Sequence, residues 1–308
     1  MTDSTWIWMK GAATPLVHVP SAPTHPGDDR PAVRDLIAAN RSSIDALKDA
    51  LAAADEPLYR PLKHDDLWLV RFVLSHKKNT KKALKAARHA LEFRKQHRLD
   101  EKDIRPYPPG YRHVETNPEL AAMTEYASDD TFNWCLPEGD QGNVVLFCRY
   151  AGYDQNSLVE NVPESAWGPA FIYLSEWAFQ WTDYITRTTG LLTKNVRLID
   201  FEGMSMFAMN REIGRRDGAA MKLTNDVYPQ MLRAILICHS PSWLQAIWRV
   251  MRVILPGRLV EKFDFIDPLT NLKERARLLK FIPKEKLPVR FGGDYKPWPV
   301  AYPLPGTN

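Results

Sequence analysis

Apolar residues first fall into a helical rhythm at residue 31. Val33, Leu36, Ile37, Ile44, Leu47 and Leu51 keep three- and four-residue spacing, with an interruption near Ser42. A second helix is predicted from Asp65 through Leu67, Val70, Phe72 and Val73. A third starts at Asn79, a good N-cap, and carries Leu84, Ala87, Leu91 and Arg94 to about His97. Three helices joined by short links make one small helical domain over residues 30–105. The proline-bearing stretch from Tyr107 to Tyr111 reads as a linker, after which strands alternate with helices. Strands are predicted at 144–150, 196–201, 233–238 and 262–266. Helices are predicted at 163–188, from the turn after Phe201 toward Tyr228, at 241–255 and at 271–281. Gly190 ends the long helix, and Ser240 with Pro241 opens the next but one. The fold class is therefore α/β, a mostly parallel sheet with helical packing. Residues 1–29 read as a loose arm and 296–308 as a proline-rich tail.

Composition removes several classes. The chain has 308 residues, 25% charged and 44% hydrophobic, which suits a globular protein with a substantial core. No run of about 18 uncharged apolar residues exists. Cys135, Cys148 and Cys238 are too few and scattered for a disulfide framework or a zinc site, so no metal is expected. The first residues lack the apolar stretch of a secretory signal, and the expectation is a cytosolic protein. Net charge is only +4, but residues 60–98 hold twelve Lys and Arg against three acids. That run, headed by Lys77, Lys78, Lys81, Lys82, Lys85 and Arg88, reads as a solvated face or as a surface for anionic membrane. Few aromatics interleave with it, which argues against nucleic acid.

Catalytic constellations are missing from the sequence: no G-x-S-x-G, Walker loop, G-x-G-x-x-G or H-E-x-x-H occurs. Cys238, His239 and Ser240 cluster at a strand end, yet neighbours in a strand point to opposite faces and share a proton poorly. Asp200 and Glu202 follow a strand and read first as turn and cap residues. The helix 241–255 bears Trp243, Leu244, Ile247, Trp248, Met251, Ile254 and Leu255 against Gln245, Arg249 and Arg252. It reads equally as a core helix or as an amphipathic lid.

The order of segments resembles the CRAL-TRIO (Sec14-like) lipid-transfer family over about residues 60–295. The helical domain carries Asp66-Leu67-Trp68-Leu69-Val70-Arg71-Phe72-Val73, Lys82-Ala83-Leu84 and Glu92-Phe93-Arg94-Lys95. Further on come Ile199-Asp200-Phe201-Glu202-Gly203-Met204-Ser205, Asp226-Val227-Tyr228-Pro229-Gln230 and Ser240-Pro241. The match closes with the segment from Phe281 to Pro288 and with Phe291-Gly292-Gly293.

The resemblance implies a lipid-binding domain, residues 112–295, whose sheet floors an apolar cavity gated by helix 241–255. Cavity and gate positions would be Leu146, Cys148, Trp177, Arg197, Ile199 and Phe201, with Thr224, Trp243, Ile247, Trp248 and Met251. Asp200 and Gly203 would turn the chain out of a floor strand. His76, Lys77, Gln230 and Lys262 fall where phosphatidylinositol-binding members contact the headgroup. Strand alternation adds that Arg197 shares the cavity face with Ile199 and Phe201. It then meets either an anionic ligand or an internal carboxylate such as Glu176. The implied function is a cytosolic, peripherally membrane-associated carrier or exchanger of a phospholipid or isoprenoid. It would be a monomer, have no cofactor beyond the bound lipid and perform no catalysis. A lipid-dependent sensor or scaffold is the alternative, and a lipid ester hydrolase a distant third.

Overall fold

The computed structural model describes residues 29–53, 58–101, 104, 122–123, 125–126, 132–135, 144–224, 226–254, 257–267, 271–285 and 287–294. The expected linker, the tail and all but Asp29 of the arm lie outside them. Ten helices are numbered here in chain order. They are α1 (Val33–Ala39), α2 (Arg41–Ala53), α3 (Asp66–Ser75), α4 (Thr80–Gln96) and α5 (Gln155–Asn161), followed by α6 (Trp167–Thr189), α7 (Arg211–Leu223), α8 (Ser242–Ile254), α9 (Gly257–Val260) and α10 (Leu272–Leu279). The strands are β1 (Phe132–Cys135), β2 (Val144–Arg149), β3 (Asn195–Asp200), β4 (Leu232–Cys238) and β5 (Phe263–Ile266).

Two compact units emerge. The first comprises Met1–Pro106, Leu174–Lys194 and Thr224–Met231. The interruption expected near Ser42 falls at Asn40 and splits the first predicted helix into α1 and α2. Asp65 caps α3 by accepting from the Trp68 N–H at 3.1 Å, and Asn79 caps α4 by accepting from the Lys82 N–H at 3.0 Å. All residues of α3 from Leu67 to Val73 are buried, as in a helix apolar all round. Against it α4 turns Ala83, Ala86, Ala87 and Ala90, small side chains that permit close approach, while Lys81, Lys82 and Lys85 stay exposed.

Charge is buried in this unit, always with a partner. The Arg94 guanidinium donates to both oxygens of Glu176 at 2.9 and 3.0 Å and to Asp100 at 2.8 Å. Arg187 bridges Asp183 at 2.6 Å and Asp65 at 2.6 and 3.1 Å, and Arg71 reaches Asp183 and Thr186 at 3.3 Å. Burial opposes the charge of Arg94, but Glu176 and Asp100 outweigh it and raise its pKa; Arg94 in turn holds Asp100 well below the usual carboxylate range.

The second unit, Tyr107–Tyr173, Asn195–Leu223 and Leu232–Asn308, holds the sheet. Its order is β1-β2-β3-β4-β5, with β1 antiparallel to β2 and the remaining pairs parallel, so the sheet is mostly parallel as expected. Alternation sorts its residues onto two faces. Val145, Val196, Leu198, Ala234, Leu236, Cys238 and Ile266 form one core with Leu278, Ile282, Leu287 and Phe291. The Phe291-Gly292-Gly293 corner is sterically fixed. Gly292 has φ +82°, and a Cβ on Gly293 would overlap the Leu287 carbonyl.

The far ends of β3 and β4 are tied together by charge. Asp200, fully buried, accepts from the Glu202 N–H at 3.0 Å, faces Nδ1 of His239 at 2.8 Å and pairs with Arg290 at 2.8 Å. Gly203 completes the turn at φ +78°. The hydrogen bond to Asp200 raises the His239 pKa, and the same bond lowers that of Asp200 against the effect of burial.

Two outcomes follow from these charges. Glu176→Leu leaves Arg94 short of its main partner and is expected to destabilise by about 3–5 kcal/mol in urea unfolding, with part recovered by adding Arg94→Met. A loss of about 1 kcal/mol or less, the range of exposed pairs, would contradict the buried pairing. The His239 contribution is fully present below its unfolded pKa of about 6.5 and fades as pH rises through the higher folded value; that of Asp200 fades only in acid. The stability gap between the native chain and His239→Gln should therefore peak near pH 5 and shrink above about pH 6.5. A gap constant from about pH 5 to 8 would refute the pairing.

Candidate functional site

The second face of the sheet is the candidate site. Register places Leu146, Arg197, Ile235 and Phe263 side by side as one rung, and Cys148, Ile199, Ile237 and Phe265 as the next. Ile199, Ile235, Ile237, Phe263 and Phe265 pack with Phe201, Met204, Tyr150, Trp243 and Leu244. Helix α8 thus meets this face through its first turn, and the Trp248 ring packs at a tilt against Phe263 and Phe265 with centroids 4.4 and 5.6 Å apart. Arg197, Cys148 and Tyr153 are half-buried, and burial lowers the Arg197 pKa and raises those of Cys148 and Tyr153.

Strand alternation placed Arg197, Ile199 and Phe201 on a shared face; register sets Arg197 and Ile199 there beside Leu146 and Cys148, and Phe201 packs with Ile199 just beyond the strand. Trp243 and Trp248 join them from α8. Ile247 sits differently: it is 41% exposed, with Val250 at 69% and Val253 at 80%. The apolar arc of the helix is broad, opposite Gln245, Arg249 and Arg252, and spacing alone does not say which part of that arc is covered. The Met251 side chain lies outside the described ones. Trp177, in the first unit, is fully buried and meets Trp181 edge-on at 6.3 Å. Thr224 is half-buried just beyond α7.

The headgroup candidates divide between the units. In the first, Gln230 at φ +59° donates to the Ser75 hydroxyl at 3.2 Å, which brings it beside His76, the C-cap of α3, and Lys77. In the second, the Lys262 ammonium donates to the Leu232 carbonyl at 2.7 Å.

The other suggested chemistry is structural. Cys238 faces the closed core while His239 faces Asp200, so the two do not share a proton. Asp200, Glu202 and His239 bring ligand atoms within 4.8 Å of one another, but the positive charge there is supplied by Arg290, which pairs with both carboxylates. Glu176, offered as a partner for Arg197, is taken by Arg94.

Sequence reasoning missed a polar group above the sheet. The Asp217 carboxylate accepts from Trp167 Nε1 at 3.0 Å and from the Tyr150 hydroxyl at 3.3 Å, and its pKa is raised chiefly by burial. No local pattern marks these residues, which are drawn from three separate segments. Burial also pushes the Cys148 thiol up to about 12, so it stays neutral.

Comparison with known proteins agrees with this architecture. The CRAL/TRIO domain matches residues 131–293. The chain is 22% identical over 231 residues to Protein real-time of Aedes aegypti, covering 73% of this chain and 33% of that protein. It is 21% identical over 265 residues to the phosphatidylinositol/phosphatidylcholine transfer protein SFH7 of Arabidopsis thaliana, covering 82% and 43%. Patellin-4 of Arabidopsis thaliana matches over 68 residues at 35% identity, 22% of this chain and 12% of that protein. The chain thus spans less than half the length of the curated relatives it matches. The crystal structure of Sfh5 shares the fold at a TM-score of 0.52 and 14% identity, covering 88% of this chain and 90% of that one. The chain belongs to the CRAL/TRIO domain family.

Proposed function

We propose that the protein binds one hydrophobic lipid over the β2–β5 face and carries it between membranes, with α8 as the gate. One observation carries the reading. An apolar sheet face is covered in part by a helix that also leaves apolar side chains exposed. Tryptophans Trp243 and Trp248 lie inward, while Ile247, Val250 and Val253 meet solvent among the exposed Arg249 and Arg252. A permanent cover has no use for exposed valines. A helix that adsorbs to a bilayer does: its apolar side chains enter the headgroup boundary and its cations meet anionic lipid. Gly257, with open space around its α-carbon, stands just beyond α8 and can serve as a hinge.

The energetics favour such a device. At about 0.8 kcal/mol per methylene, two acyl chains cost on the order of 20 kcal/mol to expose to water. A protein that opens only on a membrane removes that aqueous step, and the membrane biases the opening without chemical energy. No nucleophile or cofactor is required. The exposed Lys77, Lys78, Lys81, Lys82 and Lys85 give the helical domain, residues 30–105, a second basic surface for an anionic membrane. His76, Lys77, Gln230 and Lys262 serve as headgroup contacts in this reading, and Trp177, Thr224 and Met251 as further lining of the 112–295 domain. The protein works as a cytosolic monomer that visits membranes transiently. The naming of an Arabidopsis relative as a phosphatidylinositol/phosphatidylcholine transfer protein supports the lipid class. No helix among the described residues is long and apolar enough to cross a membrane.

Transfer of fluorescent phosphatidylcholine between donor and acceptor vesicles tests the gate. Replacing the exposed Val250 and Val253 together by Asp should slow transfer about ten-fold while lipid loading stays intact, and Trp248→Asp should slow it as well. Unchanged rates in both would sink the gate assignment. Loading without transfer in the native chain would favour a sensor that presents its lipid to a partner, and turnover of an ester would favour a hydrolase.

A further inference from the structure

Within the two rungs of the open sheet face, seven of eight positions are apolar and the eighth is Arg197. Its neighbours on either side are Leu146 and Ile235. The buried Nε has no hydrogen-bond partner, and no carboxylate among the described residues pairs with the guanidinium. The Cys148 thiol, one rung along on β2, is neutral and supplies no counter-charge. Asp217 is occupied by Trp167 and Tyr150, and Glu176 by Arg94. Two residues earlier on the same strand, beyond a shift in its pairing with β4 but in regular register with β2, Asn195 is fully buried with neither end of its amide bonded among the described residues. Every other buried arginine described above has a carboxylate within hydrogen-bond reach. Burying a cation and an amide without partners is costly, and folded proteins rarely retain either unless something completes them.

We propose that the space over β3 takes an amphiphile with one anionic group, a phosphate or a carboxylate, held by Arg197 with the Asn195 amide as a second donor. The proposal rests on the lipid-binding reading and gives it a ligand class. Alternation along a strand sets the two residues about 6.6 Å apart. An oxyanion lying between the side chains can accept from both, and the fork of the guanidinium suits either oxyanion. The apolar rungs then receive the hydrocarbon. The charge of the ligand lies inside the protein, against the sheet, and not at the protein surface.

The test uses the purified, lipid-stripped full chain and phosphatidylcholine vesicles containing equal traces of diolein, dioleoyl phosphatidic acid and oleic acid. After gel filtration the lipids that co-elute are quantified by mass spectrometry. The expected result is a preference of about ten-fold or more for an anionic species over diolein. Phosphatidic acid retained alone names the phosphate, and oleate alone the carboxylate. Arg197→Leu should bring the preference close to one with total lipid unchanged, Arg197→Lys should keep most of it, and Asn195→Ala should reduce it partially. Equal loading of neutral and anionic lipids by the native chain would overturn the proposal and leave lipid binding standing. No loading at all would overturn both. Thermal unfolding of the lipid-free proteins is an independent check: Arg197→Leu should raise the midpoint, since it removes a buried charge without a partner. A lowered midpoint would mean that the charge is satisfied within the protein, and the proposal would fail.

Discussion

Everything at the site depends on a constraint of the pleat: each strand residue belongs to one face of the sheet, and its neighbours in register share it. Once Val196 and Leu198 are committed to the core with Leu278 and Phe291, Arg197 and Ile199 have no other side to occupy. The same rule places Leu146 and Cys148 on β2, Ile235 and Ile237 on β4, and Phe263 and Phe265 on β5. One face is closed by α10 and the segment running to Phe291. The other is covered in part by α8, which also leaves Ile247, Val250 and Val253 exposed. Among the described residues the two faces therefore differ in how they are covered, and that difference supports the proposed lipid site.

Buried charge gives the second theme. Arg71, Arg94 and Arg187 are each set against carboxylates, and Asp65 both caps α3 and takes the fork of Arg187. Such pairs contribute little net stability against apolar replacements, but breaking one leaves an uncompensated charge, so they fix which side chains must meet. The Asp200–His239–Arg290 cluster does the same at the ends of β3 and β4. It holds in place the turn from which the chain leaves β3 and His239, three residues before α8.

Much of this was legible in the sequence because the signals are local. Asp65, Asn79 and Asn271 act as the caps their side chains suit, and the β-branched runs of β3 and β4 fall within a residue of their expected bounds. The face assignment of Arg197 needed only period two. Three kinds of feature were not legible. Short elements such as β1, α5 and α9 carry too few residues for a periodic signal. Long-range polar partners, Arg94 with Glu176 or Tyr150 with Asp217, leave no mark in spacing. Which part of the broad apolar arc of α8 would stay exposed, with Ile247, Val250 and Val253, was not legible either, because spacing does not say where the helix meets the sheet.

The central claim is that the open face of the sheet is a lipid site. Native mass spectrometry of the full chain, after incubation with mixed-lipid vesicles and gel filtration, tests it most directly. The account predicts a single lipid bound per chain, displaced by bulky substitution of Ile235 and Ile237 on the sheet face and unaffected by substitution of Leu198 within the closed core by Met. A chain that stays empty, or one that carries several lipids regardless of the sheet substitutions, would contradict it.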